Sequence, residues 1–346
     1  MISGLMNAIP SFLEIRDYYT YLIFDIFAAQ IIGMMPITPE GWGAFNNADR
    51  MNNRQPEIYF HVGLERTATT FLQQKVFPKL TATTYVPKSK YWEFDSIVAA
   101  NGSGKYLVSH EFSRRLYDEI EKFSAKYPNA RIILVLRRQD RWLASQYKRS
   151  VKNGNSGQFR EFFDADFDTG RWKKEEMFYF PKIRYIEEKF RNKPLILFHE
   201  DLKENPSRFL QQLLAFTKTS ASESVSFAPR HTSYGDKELK VRKWFTENTR
   251  LRDIPAKHRK YRKLRIFYNK TIRYVLIYLA KLIPESLVSD EPLIPNTEKQ
   301  KIANLYSKDW ERCITYANHN NPQIWNYNFQ TAKTGSIPME NDGRGS

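Results

Sequence analysis

Apolar residues in this chain follow two patterns: short unbroken runs, and longer stretches in which they recur every three or four positions. EIYFHVG (57–63), KYLVSHE (105–111), ARIILVLRR (130–138) and PLILFHEDL (194–202) are of the first kind. Compact runs rich in aliphatic and aromatic residues predict strands buried on both faces. TTFLQQKVFPKL (69–80), SRRLYDEIEKFSAKYP (113–128), DRWLASQYKRSVKNG (140–154) and NPSRFLQQLLAFT (205–217) are of the second kind and predict helices. Asn153-Gly154 ends the third helix, on which Trp142, Ser145 and Arg149 fall near one face; Asn205 caps the fourth, with Pro206 in its first turn. This alternation predicts an α/β fold, with a central, mostly parallel sheet flanked by helices and ligands at the carboxyl ends of its strands.

Three further segments complete the organisation. Residues 1–55 read as a helical N-terminal extension ending in the polar linker NNADRMNNRQP; residues 56–330 form the main domain; the Gly-rich tail 331–346 reads as frayed. Within the extension, YYTYLIFDIFAAQIIGMMP (18–36) carries Asp25 and Gln30 at its middle, which favours an amphipathic or buried helix over a membrane span.

Charge sharpens this picture. The chain of 346 residues has a net charge of +16, with 41% hydrophobic and 15% aromatic residues, too rich for disorder. From Lys237 to Lys281 there are fifteen Lys or Arg against Glu238, Glu247 and Asp253, a net +12. KLRIFYNKTIRYVLIYLAKLIP (263–284) interleaves those charges with apolar residues at helical spacing. The segment therefore reads either as a core-packed helix with a basic back or as a peripheral contact with an anionic membrane. The single cysteine, Cys313, excludes an intrachain disulfide and points to a reducing, cytoplasmic setting, with peripheral attachment to the inner face of the membrane as the associated expectation.

The chemistry concentrates in HVGLERTATTFLQ (61–73), a tight strand-to-helix turn rich in small hydroxyl residues. Such a turn exposes unpaired backbone amides and the positive end of a helix dipole, and so suits an anion. Aligned on Gly63 it has the length of the G-x-x-x-x-G-K-[ST] phosphate loop, but Ala68 replaces the second glycine and Thr69 the lysine. Without that lysine triphosphate chemistry is disfavoured, leaving a site for a monophosphate that carries a transferable group.

RTATT (66–70) after a strand, together with ILVLRRQDRWLASQY, which places Ser145 eight positions after Arg137, resembles the two signatures of the sulfotransferase family that uses 3'-phosphoadenosine 5'-phosphosulfate (PAPS). The resemblance spans roughly residues 56–220, and the RRQDRWLASQY form is most similar to bacterial members that modify glycans. It implies a P-loop-like sulfotransferase fold and sulfuryl transfer from PAPS, with no metal required, to a hydroxyl of a carbohydrate or lipid-linked glycan. By the same resemblance Arg66, Thr67, Ala68, Thr69, Thr70, Phe71, Arg137 and Ser145 bind the donor. Arg137 and Ser145 would take the 3'-phosphate, the loop the 5'-phosphosulfate, and Phe71 is placed to stack on adenine, with core packing as its other reading. Arg66 would also be catalytic, at the position of the family's usual lysine; tyrosine-protein sulfotransferases look similar there.

An acceptor hydroxyl needs a base. His110 resembles, by its place at a strand end, the histidine of cytosolic sulfotransferases and ranks first; Glu111 resembles the acid of the bacterial LxSxE pattern and ranks second. His61 reads as packing or hydrogen bonding, and the histidines show no metal-ligand spacing. The partners expected are the nucleotide donor and a hydroxylated glycan or glycolipid, not nucleic acid. Two other classes stay open: a small-molecule kinase using LFHED as an acidic strand end, and a non-enzymatic basic adaptor.

Overall fold

The computed structural model describes residues 55–223, 225–227, 235–248 and 262–323. The chain divides into units Met1–Arg54 and Gln55–Ser346, and all that follows concerns the second. The N-terminal extension, Arg250, Arg252, Lys257, Arg259 and Lys260 of the basic segment, and the C-terminal tail lie outside the described residues.

Five strands form one parallel sheet: β1 (Glu57–His61), β2 (Thr84–Val86), β3 (Lys105–Ser109), β4 (Arg131–Leu136) and β5 (Leu195–Phe198), in the order β2-β3-β1-β4-β5. Period-two alternation splits the core between two faces. Ile58, Phe60, Val108, Ile132, Leu134 and Ile196 point to one, and Tyr59, Leu107, Ile133, Val135, Leu195 and Leu197 to the other; all are buried. This double burial is why the strands are nearly unbroken apolar runs.

The helices are α1 (Thr69–Phe71), α2 (Phe94–Asn101), α3 (Leu116–Lys126), α4 (Gln139–Lys152), α5 (Phe159–Phe162), α6 (Phe180–Lys189), α7 (His199–Glu204), α8 (Pro206–Thr217), α9 (Asp236–Asn248), α10 (Arg262–Leu279) and α11 (Asn296–Asn320). Three expectations change in detail. The helix after β1 is only one α-turn, and continues as π-helical Leu72–Val76 and 3-10 Phe77–Lys79, where Pro78 supplies no amide to extend it. PLILFHEDL is strand only to Phe198; His199 begins α7. The fifth strand, β2, is three residues long, too short for a periodic signal. The Asn205 cap on α8 is present, its side chain accepting from the Arg208 amide.

Helix α11 is tied to the site-bearing part of the fold by one buried carboxylate. Asp309 accepts from Gln139 Nε2 (2.8 Å), the Tyr179 amide (2.8 Å) and the Phe180 amide (3.0 Å). Asp309→Ala strands three donors, so a loss of roughly 3 kcal/mol in unfolding free energy is expected, read by urea denaturation; Asp309→Asn, which retains an acceptor oxygen, should lose less. Among the described residues no helix is long and apolar enough to cross a membrane.

Candidate active site

Strand β1 leads away toward β2 and β4 leads away toward β5, so the ends of these two neighbours form a topological switch point, the place where open α/β sheets take their ligands. The loop Val62–Ala68 lies there. Gly63 is required on steric grounds: a Cβ would come within 2.7 Å of His61 Nε2 and 2.8 Å of Thr69 Cγ2. Arg66 (φ 68°) and Ala68 (φ 67°) both adopt the left-handed conformation, a backbone state from which anion-binding turns are built. Thr67 is buried, its hydroxyl donating to the Leu64 carbonyl at 2.7 Å, so its side chain shapes the loop from within. Thr70 is exposed, and Phe71 is half-buried with its ring stacked 5.8 Å from Phe227.

Ala68 sits where the motif has glycine, and its positive φ supplies the reason for that glycine. Ala68→Gly is therefore expected to stabilise the folded protein by about 1 kcal/mol, measurable as a raised Tm. A lowered Tm would mean that the alanine methyl contributes packing that outweighs the strain.

One face of α4 pins this loop. Trp142 Nε1 donates to the Glu65 carbonyl (2.7 Å), Arg66 Nε donates to Ser145 Oγ (3.0 Å), and Arg149 pairs with the Glu65 carboxylate. The side chains that helical spacing grouped together thus all reach loop residues 65 and 66.

Arg137, just past the end of β4, completes the convergence. Its Nη1 donates to the Arg66 carbonyl at 3.3 Å, whereas its Nε is buried without a hydrogen-bond partner. No carboxylate among the described residues forms an ion pair with Arg66 or Arg137. Burial lowers the Arg137 pKa, Glu200 opposes that shift, and Arg66 adds to it. Nearby His199 is pushed down to about 3 by burial and then by Arg137, so it stays neutral beside the guanidiniums. Glu200 is shifted up by burial, with one oxygen unpartnered and the other accepting from the Arg138 amide at 3.3 Å.

The end of β3 supplies the other side of the site. His110 and Glu111 follow Ser109 and turn in different directions. The His110 ring is buried, stacked 4.4 Å from Phe112 and tilted against Tyr91 at 4.7 Å, with Nδ1 3.1 Å from the Glu111 carbonyl oxygen. Burial and then Lys88 lower its pKa. Glu111 instead faces the loop: its carboxylate accepts from the Thr69 hydroxyl and pairs with Lys88 Nζ at 2.7 Å. Burial pushes this carboxyl up, but hydrogen bonds from Lys88 and Thr69 more than offset it and hold it below its usual range. His61 is buried, with Nδ1 2.8 Å from Ser109 Oγ, consistent with hydrogen bonding in the core. Its pKa is lowered to about 4 by burial, against the pull of Glu111.

Lys88 was not singled out by the sequence. It lies in the irregular YVPKSKYW stretch, where neither periodicity nor a motif marks it; only the fold brings it to Glu111.

No protein-family model matches the chain, and no curated protein matches it. Among solved structures, a sulfotransferase from Alicyclobacillus acidocaldarius is similar at 14% identity and a TM-score of 0.41, over 54% of this chain and 88% of that one. A mouse sulfotransferase complexed with PAP is similar at 20% identity and a TM-score of 0.33, over 51% of this chain and 63% of that one. At these TM-scores the likeness decides nothing about activity, which has to be read from the chain's own residues.

Proposed function

We propose that the protein transfers a sulfuryl group from PAPS to a hydroxyl of a carbohydrate or lipid-linked glycan. The observation that carries this reading is the convergence of Arg66 and Arg137, neither ion-paired to a carboxylate among the described residues, with the Ser145 hydroxyl at the ends of two neighbouring strands. Like charges this close, with one buried Nε unpartnered, are suited to an incoming anion that accepts several hydrogen bonds. The donor fits the residues present: Arg137 and Ser145 for the 3'-phosphate, and the amides of residues 66–70 with Thr69 and Thr70 for the 5'-phosphosulfate. Thr67 contributes through its backbone, and Phe71 would meet adenine only with the ring face that Phe227 leaves open.

In the proposed reaction the acceptor oxygen bonds to sulfur as the bond from sulfur to the 5'-phosphate oxygen breaks. Negative charge grows on that phosphate oxygen, and Arg66 stabilises it. Glu111 takes the acceptor's proton, because its carboxylate is at the loop and ionised, whereas His110 faces an aromatic cluster. In this reading Glu111 ranks before His110. The glycan acceptor rests on the resemblance of RRQDRWLASQY to bacterial glycan-modifying members, and a cytoplasmic setting rests on the lone cysteine.

Calorimetric titration with 3'-phosphoadenosine 5'-phosphate, beside AMP and magnesium ATP, tests the reading. Micromolar affinity for the bisphosphate with much weaker AMP is the expected result. Preference for magnesium ATP would instead select phosphoryl transfer, and no nucleotide binding would remove both.

A further inference from the structure

Helix α10 has the composition of an amphipathic helix, and such helices ordinarily turn the apolar stripe inward. Here the stripe is largely unburied. Ile277 and Ala280 are covered, at 2% and 0% exposure, yet Phe267 is 68% exposed, Tyr274 47%, Val275 49%, Tyr278 73%, Leu279 52% and, in the following 3-10 turn, Leu282 78%. Positions 267, 274, 275, 278, 279 and 282 recur at helical spacing and fall along one side, with Ile277 off that stripe. Contiguous exposure on this scale marks a contact surface.

We infer that this stripe docks the protein on an anionic membrane surface, with α10 lying in the plane of the interface. Charge complementarity identifies the occupant: all of the apolar stripe except Leu282 lies within the segment 237–281, whose net charge is +12. Tyr274 and Tyr278 are the residue type that settles at headgroup level, and Lys281 Nζ lies 5.3 Å from the Tyr278 ring centroid, a cation beside the apolar edge. A nucleic acid would use the basic charge but would gain nothing from Val275, Leu279 and Leu282, which have no face on which a base can stack.

The surface is mechanically close to the candidate site. Lys152, the last residue of α4, has Nζ 5.7 Å from the Tyr274 ring centroid, and Lys148 Nζ pairs with Asp236 of α9 at 2.5 Å. The helix that carries Ser145 therefore ends on the docking helix. Docking stands independently of the nucleotide reading; where both hold, it favours an acceptor presented at a membrane, such as a lipid-linked glycan.

Co-sedimentation tests the inference, with phosphatidylcholine vesicles compared against vesicles of equal parts phosphatidylcholine and phosphatidylglycerol. The full chain should pellet with the anionic vesicles, and Phe267→Ser/Tyr278→Ser/Leu282→Ser should weaken that binding by about tenfold or more. These side chains are exposed, so the variant should keep the wild-type Tm. The only cysteine, Cys313, is buried, so a polarity-sensitive dye on Tyr278→Cys reports that position alone; a blue shift on adding anionic vesicles is expected. Pelleting that the triple variant leaves unchanged would assign binding to charge alone and overturn the role of the stripe. Absence of pelleting would also overturn it, as would a dimer dissolved by the triple variant without vesicle binding. Titration with 3'-phosphoadenosine 5'-phosphate on the same variant separates this result from the proposed function.

Discussion

Arg137→Ala is expected to weaken binding of 3'-phosphoadenosine 5'-phosphate by roughly 100-fold, since hydrogen bonds to charged groups contribute about 1.5–3 kcal/mol. The fold itself should lose little, because among the described residues the hydrogen bond this guanidinium makes goes only to the Arg66 carbonyl, at 3.3 Å. A nearly unchanged Tm with a large loss of affinity would therefore separate a ligand-binding arginine from a structural one. Arg137→Lys should fall between the two, retaining charge but not the planar fork. Arg66→Ala should also weaken the bisphosphate, and the double variant should lose less than the two single losses combined. The two cations repel one another in the free protein, so removing either relieves the other, and their effects are coupled. Equal affinity in wild type and Arg137→Ala would exclude the ends of β1 and β4 as the donor site.

The second large effect is expected at Glu111. Glu111→Gln keeps the size of the side chain and an oxygen for Thr69 but cannot take a proton, so turnover should fall by roughly 100- to 10,000-fold with donor affinity nearly intact. His110→Asn should cost far less turnover, its ring being packed against Phe112 and Tyr91 rather than facing the loop. The reverse ranking would restore His110 as the base. pH adds a check. Since Lys88 and Thr69 hold the Glu111 carboxyl below its usual range, activity should persist through neutral pH and fall only on acidification past that depressed value. Lys88→Met removes the largest of the opposing hydrogen bonds and should move the acid limb of kcat/KM upward. The stabilising contact follows the same sign: it is fully present above the ordinary carboxylate pKa and is lost as pH falls through the lowered one.

Much of the candidate donor side was legible along the chain because it is local. The loop Gly63–Thr70 joins a strand to a helix, and the α4 residues that hold it are three or four positions apart, so spacing alone placed Trp142, Ser145 and Arg149 together. The need for a left-handed residue at position 68 was also readable, as a departure from the glycine of the motif. The proposed acceptor side was much less legible. His110 and Glu111 are neighbours at the end of one strand, and which of them faces the loop depends on how the chain leaves β3, which no periodicity encodes.

The sequence by itself determined the parallel α/β architecture, the tight turn between β1 and α1 and the grouping of Trp142, Ser145 and Arg149 on one helix face, because these follow from burial on both sheet faces and from short-range helix geometry. Only the tertiary structure decided that Lys88 meets Glu111, that His110 turns into an aromatic cluster, and that the apolar stripe of α10 faces outward. Each of those outcomes depends on what else occupies the neighbouring space, a property of packing among distant segments that amphipathic pattern and residue type do not contain.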